Sequence, residues 1–341
     1  MKKLLFLSRG KGWGHSIRDI EIVKYLSHTN EYEVLFASYG AGYEAYRTKG
    51  IPCYDLQCRE GDYGGPLIES FISLIKKLSP TWIVSDEELF MLPISHGFGI
   101  PCAYITNYFE PKDFIEKTCI NYSDLILFAE YDNLCSDDHV NPSMLHYVGP
   151  IYQKVERIKK SKESNIVLVM LGGSKNRWSV IANVALIKKL ISANVSDVRY
   201  RVVGDEISNI LNEMNIPTEN IEWSRRDKDL NKVLEGCGAA IIRGGINSLW
   251  EMASIGMPTL CVPYPKEVNP MEARYAEMMQ ERGLSSFIFQ SDITHETLYK
   301  QLTLLLSPLK SEEIKRNFAQ FSGKNGAAEA ADCITKWLHT V

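Results

Sequence analysis

Short apolar runs recur along this chain in alternation with longer helix-period segments, and that alternation limits the fold more than any other feature. In the first half, runs at residues 4–7, 33–37, 82–85, 102–106 and 125–129 alternate with amphipathic stretches at 15–27, 66–78 and 89–97. Continuous apolar runs of this length suit strands covered on both faces, and strands separated by helices pair in parallel through crossover connections. The pattern stops at Tyr147-Val-Gly-Pro150 and a charged stretch over 153–163. It resumes with runs at 166–171, 198–203, 239–242 and 259–262, separated by predicted helices over 178–191, 229–235 and 247–255. The expected fold is α/β, with two doubly wound parallel-sheet domains facing across a cleft. The expected division is an N-terminal domain over 1–150, a linker over 151–164, a second domain over 165–325 and a terminal helix over 326–341 that packs back toward the first domain. A length of 341 residues suits two domains better than one core. In such a fold the ligand belongs at the carboxyl ends of strands, where helix N-termini converge.

Composition removes several classes of function. Lys and Arg number 38 against 42 Asp and Glu, so no basic surface suggests a nucleic-acid partner. No apolar stretch approaches the ~20 residues that cross a bilayer, so no transmembrane segment is expected. Met1-Lys-Lys-Leu-Leu-Phe-Leu-Ser8 reads as a first strand, because its apolar part runs straight into a Gly-rich loop instead of a cleavage site. The eight cysteines form no Cys-x-x-Cys pair and sit among apolar runs, which fits a reducing, cytoplasmic setting. The histidines outside the first loop show no metal-ligand spacing, so no metal and no cofactor are expected. The amphipathic stretch 63–77 suits either a bilayer surface or its own sheet, which leaves peripheral membrane contact open.

Four loops carry the candidate chemistry. Gly10-Lys-Gly-Trp-Gly-His15 lies between the first strand and a helix, where glycines permit close backbone approach and the helix end disfavours an imidazolium, suiting His15 to act as a base. Asp86 ends the run Trp82 to Ser85 and can orient His15 if the two strands are neighbours; a helix cap is its alternative role. Gly172-Gly173-Ser174 follows the strand at 166–171 and resembles a phosphate-approach turn. Arg243-Gly244-Gly245-Ile-Asn247-Ser248-Leu-Trp-Glu251 is again strand, loop and helix. There Arg243 can pair with a diphosphate, Asn247 and Ser248 supply donors at a helix start, and Glu251 lies one turn further on to accept ribose hydroxyls. Gly12, Trp13 and Gly14 in the first loop, with Asn107 and Tyr108 after the strand at 102–106, are candidates to line an acceptor pocket.

These residues resemble the GT-B glycosyltransferases, which have two Rossmann-like domains, and within them the family of the peptidoglycan N-acetylglucosaminyltransferase and its plant and antibiotic-pathway relatives. Gly10 to His15 is similar to that family's Gly-rich loop and base histidine, and Arg243 to Glu251 to its donor motif, continued by Gly256-Met-Pro258. The resemblance implies an inverting, metal-independent transfer of a sugar from a nucleotide-sugar donor, a UDP-sugar, to a hydroxyl on a small-molecule, glycan or lipid-linked acceptor. It implies that His15 and Asp86 deprotonate the acceptor, that Gly172, Gly173, Ser174, Arg243, Asn247 and Ser248 hold the diphosphate, and that Glu251 holds the ribose. Arg226, in Trp223-Ser-Arg-Arg226, falls where relatives read the base, and Glu272 falls where they contact the donor sugar. The string Gly-x-Gly-His-x-x-Arg-Asp also looks like that of nucleotide-sugar hydrolases of sialic-acid-like pathways, in which water replaces the acceptor. A non-catalytic nucleotide-sugar-binding protein is the remaining alternative.

Overall fold

The computed structural model describes residues 1–26, 31–59, 64–107, 114–131, 141–155, 165–172, 177–225, 229–321 and 325–341. The chain divides into two compact units, Met1–Gln153 with Asn325–Val341 in one and Lys154–Gly172 with Asn176–Lys324 in the other. Ile151 and Tyr152, placed in the linker by sequence, are buried, and Ile151 belongs to the core of the first unit.

The first unit holds a parallel sheet of seven strands: β1 (Lys2–Ser8), β2 (Tyr32–Ser38), β3 (Tyr54–Asp55), β4 (Trp82–Asp86), β5 (Cys102–Thr106), β6 (Leu125–Phe128) and β7 (Leu145–Tyr147). Their order is β3-β2-β1-β4-β5-β6-β7, with helices α1 (Gly14–Val23), α2 (Gly40–Thr48), α3 (Gly65–Leu78), α4 (Met91–Gly97) and α5 (Phe114–Ile120). Side chains of β1 alternate between the faces, as a pleated strand requires. Leu4 and Phe6 join a core cluster with α1, and Leu5 and Leu7 join one with α3 and α4. Burial on both faces explains why β1 reads as an unbroken apolar run. The apolar stripe of α3 (Leu67, Phe71, Leu74, Ile75, Leu78) is buried on this sheet, so packing, and not a bilayer, accounts for its amphipathic pattern.

The second unit holds six parallel strands, β8 (Ile166–Met170), β9 (Arg199–Val203), β10 (Ile221–Ser224), β11 (Cys237–Ile242), β12 (Thr259–Cys261) and β13 (Ser286–Phe287), in the order β10-β9-β8-β11-β12-β13. Its helices are α6 (Arg177–Ala193), α7 (Asp205–Glu213), α8 (Leu230–Leu234), α9 (Ile246–Ser254), α10 (Pro270–Glu281), α11 (His295–Leu305) and α12 (Pro308–Ala319). The last helix, α13 (Ala327–Leu338), packs in the first unit against α1.

Each sheet reverses its winding once. In the first, β1 pairs with β2 on one side and β4 on the other; in the second, β8 pairs with β9 and β11. Neighbouring crossovers leave such a point in opposite directions and open a crevice at the strand ends. Both Gly-rich loops stand at these points. Among the described residues no helix is long and apolar enough to cross a membrane, and seven cysteines are free thiols.

Candidate active site

In the first unit, register brings the base loop and the carboxylate strand together. Ser8 of β1 lies opposite Asp86 of β4, and the Arg9 amide donates to the Asp86 carbonyl at 3.1 Å. The chain then turns through Gly12, whose φ of 81° suits glycine, and enters α1 at Gly14. His15 thus occupies the first helical turn. Its Nδ1 lies 2.8 Å from Oδ1 of Asp86, 71 positions away in sequence. Asp86 is fully buried and ends β4, while α4 begins only at Met91, so the carboxylate orients His15 and caps no helix.

Sequence reasoning placed Arg18 in the Gly-x-Gly-His-x-x-Arg-Asp string but gave it no role in the site. One turn along α1 from His15, its guanidinium is 2% exposed and grips Asp86 with both arms, Nε donating to Oδ2 at 2.7 Å and Nη2 to Oδ1. Burial alone would raise the Asp86 carboxyl, but Arg18 and His15 outweigh it and hold the group down at about 2. Burial also opposes charge on Arg18, and Asp86 overrides it, raising the guanidinium further. The pair is therefore ionised, and of the two groups at Nδ1 the anionic Asp86 oxygen at 2.8 Å lies closer than the Arg18 Nη2 donor at 3.3 Å, which favours the tautomer with its proton on Nδ1. Nε2 is then the lone-pair acceptor. Glu87 is next along the chain, with Oε2 3.7 Å from His15 Nε2. The three-residue spacing of His15 and Arg18 on one helical face was the signal available for Arg18.

His15, Asp86 and Glu87 present ligand atoms within 4.8 Å of one another, the described cluster best placed to hold a metal. Arg18 already supplies a cation to both of its carboxylates. Behind them lies Asp19, buried and accepting from Ser8 Oγ, with the Tyr46 hydroxyl at 3.4 Å and Oδ1 without a partner. Burial, then the charge of Asp86, push this carboxyl well above the usual range. Trp13 is partly buried against the core of the first unit, with a buried, unpartnered Nε1. Asn107 is buried beyond β5; Tyr108 lies outside the described residues.

In the second unit, Gly172 (φ 78°) follows β8, and the Arg243 amide at the end of β11 donates to the Met170 carbonyl at 3.2 Å. The Gly172 loop and the Arg243 loop are thereby neighbours; Gly173, Ser174 and Arg226 lie outside the described residues. Gly244 has a steric role, since a Cβ there would stand 2.6 Å from Cβ and 2.8 Å from the carbonyl oxygen of Glu272 at the start of α10. Glu272 accepts from the Tyr264 amide at 3.3 Å, and its own amide donates to Asn269, the N-cap of α10. Gly245 is exposed at the N-cap of α9, with no side-chain cap bond, and Asn247 and Ser248 follow half-buried. Glu251 lies one turn on, buried.

Arg243 departs from expectation. Its guanidinium turns inward and donates to Asn183 Oδ1 (3.0 Å), the Val262 carbonyl (3.1 Å), and the Ala182 carbonyl and Gln290 side chain from Nη2 (2.9 and 3.0 Å). Burial lowers its pKa. A side chain committed to these acceptors braces the loop from beneath and is not presented to a diphosphate. It also stacks on Tyr264 (4.5 Å), whose ring meets the exposed Trp178 edge-on at 4.6 Å. This aromatic pair beside the loop was not singled out in the sequence. Trp223 and Ser224 end the edge strand β10 instead of forming a loop.

Two parallel doubly wound units with Gly-rich loops at their switch points define the GT-B class of fold. The chain aligns along 100% of its length with 99% of the calicheamicin glycosyltransferase CalG4 (TM-score 0.69, 14% identity). Likewise 98% of it aligns with 99% of Acinetobacter baumannii MurG (TM-score 0.64, 16% identity). Residues 167–332 match the glycosyltransferase family 28 C-terminal domain. A relative from Desulforamulus reducens, a UDP-N-acetylglucosamine--N-acetylmuramyl-(pentapeptide) pyrophosphoryl-undecaprenol N-acetylglucosamine transferase, is 24% identical over 70% of this chain. The match spans 64% of that relative and 35% of another of the same name, less than two thirds of either.

Proposed function

We propose that the protein moves a sugar from a nucleotide-sugar donor to an acceptor hydroxyl, with inversion and without a metal. The observation that carries this reading is the 2.8 Å contact from His15 Nδ1 to a buried carboxylate that Arg18 keeps ionised. His15 Nε2 takes the acceptor proton as the acceptor oxygen bonds to the anomeric carbon. The bond to the diphosphate breaks, and the nucleotide diphosphate leaves with its electron pair. Asp86 stabilises the imidazolium that results. One displacement of this kind inverts the anomeric centre. The second unit supplies the donor grip, with the N-terminus of α9 and the Gly172 and Gly244–Gly245 turns toward phosphate and Glu251 toward ribose. Such a site stabilises the leaving diphosphate through backbone N–H groups and a helix dipole, which supports the metal-free reading.

The relatives' name supplies the first donor to test, UDP-N-acetylglucosamine, and a lipid-linked acceptor as one acceptor class. Incubation with UDP-, dTDP- and GDP-sugars, with and without acceptors, followed by nucleotide release and thermal shift, tests the reading. Expected are stabilisation by a UDP-sugar, acceptor-dependent UDP release, and a loss of about 100- to 10,000-fold in His15→Ala. Rapid release of free sugar without any acceptor would instead mean a hydrolase.

A further inference from the structure

His15 Nε2 does not face open solvent alone. Glu87 Oε2 stands 3.7 Å from it, beyond a direct hydrogen bond yet close enough for one bound group to touch both. With the imidazole proton on Nδ1, these are two neighbouring acceptors. A single acceptor hydroxyl carries one hydrogen and satisfies only the base.

Glu87 is built into this position. It directly follows β4 with φ 58°, a left-handed conformation that a long side chain adopts only where its surroundings compel it. Its carboxylate is held by charge on two sides, by Arg18 Nη2 at 3.5 Å and Arg9 Nη1 at 3.6 Å, and faces the His15 ring on a third. Burial opposes ionisation of this group, and His15, Arg18 and Arg9 together prevail, so the carboxyl is held below the usual range. None of the three contacts is shorter than 3.5 Å, which leaves lone pairs for a shorter bond from a ligand. The side chain is 17% exposed, as is that of His15, so both are reachable. A cationic partner is disfavoured, because Arg9 and Arg18 already neutralise the carboxylate. The group that fits is neutral and offers two adjacent O–H donors.

We infer that His15 and Glu87 together hold a vicinal diol, the reacting hydroxyl on Nε2 and its neighbour on Glu87, so that the acceptor is a sugar ring or similar polyol and not an isolated hydroxyl. The inference rests on the transfer reading above and adds the acceptor's chemical class. Its oxygens lie about one hydrogen-bond length apart, matching two acceptors at 3.7 Å.

The test uses the full chain with UDP-N-acetylglucosamine as donor and octyl glucoside, its monodeoxy analogues and octanol as acceptors. The chain is compared with Glu87→Gly, in which glycine suits the backbone and removes only the carboxylate, and with Glu87→Asn, which also tolerates this conformation. In the unaltered protein, loss of the hydroxyl beside the reacting one is expected to lower kcat/KM at least about tenfold, because the Glu87 carboxylate loses its short hydrogen bond from the acceptor. In both variants that penalty shrinks to under about threefold, while octyl glucoside itself becomes a poorer acceptor. The same penalty in variant and parent, or octanol used as well as octyl glucoside, overturns the inference and leaves the transfer reading standing. Free sugar released without acceptor, and suppressed by Glu87→Gly, would show that the two-donor group is water. No donor consumption under any condition overturns both readings.

Discussion

Arg18 and Asp19 are sequence neighbours in α1, both enclosed, and the first unit answers their charges in opposite ways. Arg18 has Asp86 as a bidentate partner, so truncation would leave a fully buried carboxylate without its cation. Arg18→Ala should cost about 3–5 kcal/mol in denaturant unfolding of the first unit and reduce turnover by loosening Asp86, whereas Arg18→Lys should keep the charge but lose the two-armed geometry. An Arg18→Ala protein as stable as its parent would mean that the pair is solvated. The two aspartates also give opposite pH dependences. Asp86, lowered to about 2, contributes stability that is complete above its ordinary 3.8 and lost as pH falls toward 2. Asp19 is raised, so the folded chain keeps a proton that the unfolded chain releases, and its contribution is lost as pH rises from about 4. Unfolding midpoints measured from about pH 4 to 8 should therefore fall less steeply in Asp19→Asn than in the parent. Equal slopes would remove Asp19 as the cause.

Among the elements, the loop between β11 and α9 shows how adjacent glycines can have unrelated reasons. Gly244 faces the start of α10 with no room for a methyl group, while Gly245 meets nothing within 4 Å. Gly244→Ala should cost about 1–3 kcal/mol and weaken UDP binding by displacing Glu272, and Gly245→Ala should fold normally. Calorimetry with UDP separates them; equal affinities would show that the packed loop does not shape the donor site. The elements most legible in the sequence were those with continuous apolar runs, the central strands β1, β4, β8 and β11, because burial on both faces writes their pattern. Edge strands β3, β7, β10 and β13 have two to four residues, too few to show a period. In the candidate site, His15 and Asp86 were legible because each stands at the end of a recognisable strand. Arg243 was misread for a physical reason. Its partners Asn183 and Gln290 lie 60 and 47 positions away, and no local pattern tells which way a long side chain turns.

For the molecule as a whole, the decisive feature is that its last helix belongs to its first unit. Gly326 enters α13 so close to the segment after β7 that a Cβ would lie 2.3 Å from the Gly149 carbonyl, and its amide donates to Pro150 at 2.8 Å. From there Ala327, Ala330, Ala331, Ile334, Trp337 and Leu338 fill the cluster that contains Leu4 and Phe6, and none of them enters the core of the second unit. Two cores that share no residue need not melt together. Trp337→Ala removes a large, nearly buried ring and should lower the transition of the first unit by about 3–5 kcal/mol. The second unit reports separately, since a donor nucleotide bound there should raise its own transition by mass action in parent and variant alike. Differential scanning calorimetry with and without UDP should thus show one transition moved by the substitution and another moved by the nucleotide. If a single transition responded to both, the units would unfold as one body, and α13 would couple acceptor-side stability to donor binding.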